Sequence, residues 1–210
     1  MKIIRIAYYM SKKKILVLGN GVSINDIDFS RLDPSIQTFG VNRIWLKHYP
    51  DYFFFQDSDI LHELNKDLVA RSKLIGKSHS FSSDWANSSI TNCPHWLRKY
   101  PRANRRKFPD SVTTGMQILM TNILKGKQSD YVFYMAGISL KWEDPSHFWK
   151  VGEYDSLNNK DEDWYDVRFN KMFKNIRDIK SLGYNMISVT PNSQLNKMMR
   201  YENVANLYAK

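Results

Sequence analysis

A glycine-rich turn, Gly19-Asn20-Gly21, directly follows a short apolar run near the start of the chain. Glycine allows a backbone to approach a phosphate closely, and a carboxamide can donate to and accept from the edge of a base or a ribose. The turn does not fit the dinucleotide-binding fingerprint, because Ile24 stands where a third glycine is required, and it lacks the Gly-Lys-Ser/Thr ending of a P-loop. Either a tight strand–helix connection or nucleotide binding of another kind explains it.

Similar residues follow the other apolar runs of the chain. In an open parallel sheet, ligands bind beyond the carboxyl ends of the strands, close to the point where the strand order switches. Helix N-termini at that edge would also offer free N–H donors to a phosphate. The candidate binding residues at these ends are Gly19, Asn20, Gly21, Ser23, Asn42, Gln56, Asp57, Gly137, Ser139, Thr190, Pro191, Asn192 and Ser193.

These positions require a sheet that brings the strand ends together. Short apolar runs typical of buried strands alternate with stretches whose apolar residues recur at helical spacing. The predicted strands cover 14–18, 38–42, 52–57, 74–75, 131–135 and 185–189. The predicted helices cover 24–27 after an N-cap at Ser23, 60–68, 114–124 and 169–179, and a last one opens at 191–193. This alternation predicts an α/β fold, a single Rossmann-like domain with a mostly parallel sheet and helices on both faces.

Two segments lack a clear periodic pattern. Residues 78–109 are polar and irregular, and residues 140–163 are acidic and rich in aromatic side chains. We interpret 140–163 as a lid, because a long loop inside a compact domain is usually functional when it is ordered. Residues 1–9 are expected to be a peripheral extension. We therefore expect one domain to span residues 1–210.

Several short blocks, in the same order and at similar spacing, resemble bacterial lipooligosaccharide sialyltransferases. Those enzymes carry Gly-Asn-Gly-Pro-Ser, Ile-Asp-Tyr-Ser-Arg-Leu, Cys-Asn, Ile-Thr-Ser-Gly, Leu-Ser-Gly-Ile and Cys-Pro-Asn-Ser. The corresponding blocks here are Leu18-Gly19-Asn20-Gly21-Val22-Ser23, Ile27-Asp28-Phe29-Ser30-Arg31-Leu32, Val41-Asn42, Val112-Thr113-Thr114-Gly115, Tyr134-Met135-Ala136-Gly137-Ile138 and Thr190-Pro191-Asn192-Ser193. The resemblance covers most of the chain outside the two irregular segments.

The resemblance implies a Rossmann-like glycosyltransferase that uses a CMP-sugar donor, an unknown acceptor and no metal or other cofactor. Carried over residue by residue, it assigns Asn20 and Asn42 to the nucleotide, Gln56 or Asp57 to the ribose or sugar, Thr114 and Gly115 to the donor, and Asn192 with Ser193 to the cytidine or phosphate.

Some positions depart from the family pattern. An arginine that precedes the family's Ser-Gly is Ser111 here, and the aspartate of its Gly-Ile-Asp is Ser139. A phosphate-binding tyrosine becomes Lys141, which can neutralise a leaving phosphate as a point charge. The family's catalytic histidine corresponds to Asp166. These departures leave the identity of the general base open.

Two kinds of general base are therefore considered. His147 lies in the predicted lid and has a side chain that titrates near neutrality. Asp166 or Asp163 could instead accept the proton of an acceptor hydroxyl, as carboxylates do in many transferases. His147 is favoured for its chemistry and not for its alignment.

The net charge of +10 attracts phosphates, whether on a nucleotide, an anionic polymer or a membrane surface. It does not indicate which of these the protein binds. The lone Cys93 cannot form an internal disulfide, which favours a reducing, cytoplasmic compartment. No apolar run is long enough for a transmembrane helix, and a position at the membrane surface is left open. The histidines show no metal-ligand spacing, so no metal site is expected.

Two alternative functions, and a hybrid of glycosylation with nucleic-acid binding, stay open. Related Gly-Asn-Gly-Pro-Ser proteins include archaeal-type pterin pyrophosphokinases. In an enzyme of that kind, Asp57 would act together with magnesium. The chain could also be a non-catalytic protein that binds nucleic acid or another anionic polymer, or an enzyme that glycosylates nucleic acid. The cations that would contact such a polymer are Arg98, Lys99, Arg102, Arg105, Arg106 and Lys107.

Overall fold

One parallel sheet runs through the part of the chain that the structure, a computed structural model, describes: residues 12–83, 95–100, 110–141 and 162–209. Its strands are β1 (Lys13–Leu18), β2 (Gln37–Val41), β3 (Tyr52–Phe55), β4 (His79–Ser83), β5 (Arg98–Tyr100), β6 (Tyr131–Ala136) and β7 (Met186–Ser188). The helices are α1 (Ser58–Lys66), α2 (Leu68–Lys77), α3 (Ser111–Ile118), which continues as a π-helical turn over Leu119–Leu124, and α4 (Glu162–Ser181).

The strand order is β5-β4-β3-β2-β1-β6-β7, and all six pairings are parallel. From β1 the chain adds strands outward to β5 and then returns to place β6 on the other side of β1. The strand order therefore switches between β1 and β6, where Leu18 pairs with Ala136 at the carboxyl ends. In open α/β sheets this crevice is the usual ligand site.

Both faces of the sheet are covered, which explains why the central strands read as continuous apolar runs. Alternate residues of a strand point to opposite faces. Ile15 and Val17 face the layer of α3 and α4, whereas Leu16 and Leu18 face the layer of α1, α2 and short 3₁₀ segments. The prediction of an α/β fold with a parallel sheet and helices on both faces is confirmed.

Several predicted elements differ from the structure. The strand predicted at 74–75 is wrong, because both residues belong to helix α2, on which Leu74 is buried and Ile75 is exposed. The strand β4 begins only at His79, so β4 and β5 lie in the segment predicted to be irregular. The predicted helix over 60–68 is two helices, because the Asp67 side chain accepts a hydrogen bond from the Ala70 N–H and caps α2.

Two further helix predictions are wrong in type or start. The segment Val22–Asp26 is a 3₁₀ helix that contains Ser23 and has no side-chain cap. The predicted last helix is the 3₁₀ segment Gln194–Lys197, capped by Ser193. Of the predicted lid, residues 142–161 lie outside the described residues, and α4 begins at Glu162; the predicted extension at 1–9 also lies outside them.

In the described ranges, no helix is both long enough and apolar enough to cross a membrane.

Candidate nucleotide-binding site

The turn after β1 packs backbone to backbone against the turn after β6. The N–H groups of Gly19 and Gly21 donate to the carbonyl oxygens of Ala136 and Gly137, both at 2.8 Å. A Cβ added to Gly19 would lie 2.4 Å from the Gly137 oxygen, so the close approach itself requires glycine. The two amides are already bonded to protein, and the glycines bring the strand ends together without offering those N–H groups to a phosphate.

Two carboxamides lie side by side at this edge. The Asn20 Nδ2 donates to the carbonyl oxygen of Val41 at 3.3 Å, which places Asn20 beside Asn42 at the end of β2. The Oδ1 atoms of Asn20 and Asn42 are both buried and have no hydrogen-bond partner among the described residues. Buried acceptors of this kind are rare in proteins, because each loses its bond to water without replacement. They are suited to a ligand that donates, such as a cytosine amino group or a ribose hydroxyl.

Asn42 holds its carboxamide on a left-handed backbone, with φ 52°. The following residue, Arg43, is buried and forms a bidentate ion pair with Glu63 of α1, with its Nε 2.9 Å from Oε2 and its Nη2 bonded to Oε1. This pair ties the turn after β2 to α1. It therefore fixes the backbone from which the Asn42 side chain projects.

The turns after β6 and β7 are joined by hydroxyl groups. The Ser193 Oγ donates to the Ile138 carbonyl at 2.6 Å and accepts from the Leu195 N–H at 3.0 Å. The Thr190 Oγ1 donates to the Met135 carbonyl at 3.1 Å and accepts from the Ile138 N–H at 3.2 Å. Both hydroxyls therefore hold the turns after β6 and β7 together through hydrogen bonds to the backbone.

The remaining predicted residues of these turns differ in exposure. Pro191 and Asn192 are exposed, and Asn192 has a left-handed φ of 55°. Ser139 is buried, and its carbonyl accepts from the Gln194 N–H at 2.9 Å. Lys141 is half-buried at the end of the described segment after β6.

A third asparagine at this edge, Asn196, was not among the predicted site residues. The Asn196 Nδ2 donates to the Thr190 carbonyl at 3.3 Å, and its Oδ1 is buried without a partner in the described parts of the chain. Its position follows from the 3₁₀ segment Gln194–Lys197, which folds back over the end of β7. The sequence predicted a helix that opens at 191–193, whereas the 3₁₀ segment begins at Gln194.

On the β3 side, the buried Gln56 contacts the start of α3. Its Nε2 lies 3.4 Å from the Oγ of Ser111, the position at which the resembling family has an arginine. Thr114 and Gly115 are buried in α3, and a Cβ on Gly115 would meet the rings of Phe39 and Phe54 at 2.6 and 2.7 Å. Gly115 therefore lets α3 approach the sheet.

Asp57 stands between charges of both signs. It occupies the N-cap position of α1 but makes no capping bond. Partial removal of water from its carboxyl raises the pKa of Asp57, and the Asp59 carboxylate raises it further, whereas Arg43 and Arg168 act to lower it. Arg168 reaches this position from α4. The partial loss of water from the carboxyl is the main reason why the protonated form of Asp57 is favoured.

Replacing Asp57 by asparagine should raise the Tm slightly at neutral pH, with the gain disappearing in acid. Because the folded-state pKa is raised, the folded protein loses stability as the pH rises from the ordinary range of an aspartate through that pKa. Asparagine removes the charge and is an equally good N-cap. Thermal unfolding of both proteins across a pH series measures the effect.

Asp33→Asn is the control of opposite sign. Hydrogen bonds from Ser35 lower the pKa of Asp33, so this replacement should slightly reduce the Tm at neutral pH. A Tm of Asp57→Asn that lies below the wild-type value at neutral pH would contradict the raised pKa of Asp57.

The two carboxylate candidates for the general base, Asp163 and Asp166, lie near the N-terminus of α4. Asn175 of α4 donates to the Oδ2 of Asp110, the N-cap of α3, at 2.8 Å. Asp166 and Asp163 precede Asn175 by nine and twelve residues, which is roughly 14 and 18 Å along a helix axis. Both are exposed. His147 lies outside the described residues.

The structure describes two of the six cations that were predicted to contact an anionic polymer. Arg98 and Lys99 are exposed on β5, while Arg102, Arg105, Arg106 and Lys107 fall outside the described residues. Among the side chains that the structure describes, no three His, Cys, Asp or Glu residues converge as a metal-ligand group.

No protein-family model matches the chain, and no curated protein matches it in sequence. Solved sialyltransferases match its structure. The sialyltransferase CST-II in complex with a trisaccharide acceptor and CMP has a TM-score of 0.58 at 15% identity, over 94% of this chain and 88% of that one. CstII from Campylobacter jejuni in complex with CMP gives 0.55 at 15%, over 94% and 87%. The monofunctional α-2,3-sialyltransferase Cst-I from Campylobacter jejuni gives 0.57 at 15%, over 96% and 83%. The resemblance found in the sequence is thus confirmed at the level of the fold, and the chain has the fold of the Campylobacter sialyltransferases.

Proposed function

We propose that this chain is a glycosyltransferase that transfers a sugar from a CMP-sugar-like donor to a hydroxyl acceptor. The observation that supports this most strongly is the pair of buried Oδ1 atoms on Asn20 and Asn42, for which the described residues supply no hydrogen-bond donor. They lie next to the strand-order switch, in a fold whose solved examples include sialyltransferases in complex with CMP. A cytidine offers an amino group and ribose hydroxyls, which are the donors that these acceptors lack.

We assign the proposed roles to residues along the carboxyl edge of the sheet. Asn20 and Asn42 bind the nucleoside, Asn196 adds a third acceptor, and Gln56 and Asp57 face the ribose or the sugar. Lys141 supplies positive charge near the leaving phosphate, which takes the role that a metal has in other transferases. The proposal therefore includes catalysis without a metal.

In the proposed reaction, the acceptor oxygen forms a bond with the anomeric carbon of the sugar. The bond from that carbon to the phosphate oxygen breaks, and CMP leaves with the electron pair. The acceptor proton passes to the general base, for which His147, Asp166 and Asp163 remain the candidates. Closure of residues 140–163 over the donor would exclude water and favour transfer over hydrolysis.

The proposal also includes a cytoplasmic location at a membrane surface. The single cysteine agrees with a reducing compartment. The net charge of +10 agrees with an anionic surface nearby.

A thermal-shift panel of CMP, UMP, GDP and their sugar conjugates tests the nucleotide preference. A ligand at 100 times its Kd stabilises the folded state by about 2.7 kcal/mol. For a chain of this size that corresponds to a rise in Tm of about 5–11 °C. We expect CMP and CMP-sugars to give the rise, and EDTA to leave it unchanged. A shift with UMP or GDP but none with CMP would overturn the donor assignment.

The same protein sample separates the alternatives. A pterin pyrophosphokinase-like enzyme would consume a nucleoside triphosphate only with Mg²⁺, using Asp57 as a ligand. A nucleic-acid-binding protein would bind DNA with steep salt dependence and would not turn over a nucleotide-sugar. Either result, without a CMP shift, would replace the proposed function.

A further inference from the structure

Helix α2 turns apolar side chains to solvent. Leu68, Val69 and Ile75 are 60%, 66% and 47% exposed, although they belong to one ten-residue helix. Ala70 and Leu74 are the buried residues of α2 and face the sheet layer. At 100° per residue, the three exposed apolar residues point away from the sheet, on the side where an ordinary surface helix carries charge.

Cations flank this apolar surface. Lys73 and Lys77 lie along one border on the helical wheel, and Arg71 lies along the other. The Lys73 Nζ stands 5.4 Å from the ring centroid of Tyr49, and the Arg71 Nη1 donates to the Asn65 Oδ1 at 3.2 Å. The middle of the outward side holds Ser72 and Gly76, which are small and leave the surface flat.

The 3₁₀ segment Asn42–Leu46 contacts α2 and also exposes an apolar side chain next to a cation. Leu46 is 40% exposed at its end, and the next residue is the exposed Lys47. Of the nearby acids, Glu63 is paired with Arg43, whereas the Asp67 carboxylate caps α2 through the Ala70 N–H and keeps its charge. The exposed cations Lys47, Lys73 and Lys77 outnumber that one carboxylate, so the local charge offered to a partner is positive.

We propose that this docking face, made of Leu68, Val69, Ile75, Arg71, Lys73 and Lys77, binds the surface of a bilayer that contains anionic phospholipids. Aliphatic side chains bordered by lysine and arginine are typical of helices that lie in the membrane interface. The apolar side chains would enter the boundary between headgroups and acyl chains. The cations would meet the lipid phosphates.

Other occupants fit the surface less well. A second copy packed face to face would set Arg71, Lys73 and Lys77 against their own counterparts, and like charges across an interface oppose association. A nucleic acid would use the cations but would leave three aliphatic side chains unused, because its surface is phosphate, sugar and base edges.

The docking face is separate from the candidate nucleotide site. α2 leads directly into the amino end of β4, where the His79 N–H donates to the Asp51 carbonyl at 2.7 Å. The carboxamides of Asn20 and Asn42 lie at the opposite, carboxyl edge of the sheet. Bilayer binding therefore leaves that edge open, and it can be tested independently of the nucleotide.

Vesicle flotation tests the proposal with pure phosphatidylcholine and with mixed phosphatidylcholine–phosphatidylglycerol vesicles. The full chain should bind the mixed vesicles at least roughly tenfold more tightly, and binding should weaken as salt is raised. The triple variant Leu68→Ser, Val69→Ser, Ile75→Ser should lose roughly tenfold or more of this binding. The variant Lys73→Glu, Lys77→Glu should lose the preference for anionic vesicles.

A matched control uses apolar residues of similar exposure elsewhere. Val167 on α4 and Leu182 after it are 55% and 48% exposed, so Val167→Ser with Leu182→Ser should leave flotation unchanged. Tm without ligand shows whether each variant folds. Wild-type protein that floats with neither vesicle, or a triple variant that binds as well as wild type, would overturn the proposal. The proposal would also be overturned if the wild-type protein does not float but instead dimerises, or binds a protein or nucleic acid, through a contact that the triple variant abolishes.

Discussion

Replacing Asn42 by glycine should weaken the binding of CMP by roughly 10- to 100-fold and leave the Tm unchanged or slightly higher. Asn42 has φ 52°, a conformation that glycine adopts without strain, so the replacement removes the carboxamide and keeps the backbone. The lost Oδ1 is buried and has no hydrogen-bond partner in the part of the chain that the structure describes. Removing it relieves an unpaired polar group in the free protein and leaves a ligand donor unpaired in the complex.

Isothermal titration with CMP, together with thermal unfolding, measures both effects. Asn42→Ala should lose the same affinity but also lower the Tm, because alanine is strained at positive φ. Asn203→Ala is the control: Asn203 only caps the 3₁₀ segment Val204–Leu207 through the Ala205 N–H, so CMP affinity should stay at the wild-type value. If Asn42→Gly binds CMP as wild type does, the carboxamide is not part of a nucleotide site.

The parts of the fold that the sequence predicted share one physical cause. Parallel strands covered on both faces need apolar residues at consecutive positions, and the runs ending at Leu18, Val41 and Ala136 have that form. Strand ends in such a sheet meet at one edge, so the turn at Gly19 and the asparagines at 20 and 42 could be placed together before any coordinates.

The parts that could not be predicted depend on which way a side chain faces. The pair Leu74-Ile75 has the composition of a strand, but only the three-dimensional packing shows that Leu74 is buried and Ile75 is exposed on α2. Asn196 lies in the 3₁₀ segment Gln194–Lys197, whereas the sequence predicted a helix that opens at 191–193. Serine hydroxyls predicted to bind a ligand also have backbone partners, as Ser193 does with Ile138, and sequence alone does not distinguish these roles.

Replacing Gly137 by alanine should destabilise the protein by roughly 2–5 kcal/mol, because two costs combine. Gly137 has φ +65°, and an added Cβ would lie 2.4 Å from Cγ1 of Ile24. Gly183→Ala isolates the first cost, since Gly183 has φ +93° and no atom of the described residues lies within 4 Å of the added Cβ. We expect that control to cost about 1–2 kcal/mol by denaturant unfolding.

A double-mutant cycle with Ile24→Ala separates strain from steric overlap at Gly137. Ile24 is fully buried, so Ile24→Ala alone should cost about 2–5 kcal/mol. The same truncation removes the atoms that meet the new Cβ, and the double variant should therefore be more stable than the sum of the single changes implies. Strict additivity would mean that the turns after β1 and β6 can separate freely. In that case the bond from the Gly21 N–H to the Gly137 carbonyl would not hold the strand ends at the distance on which the nucleotide site depends.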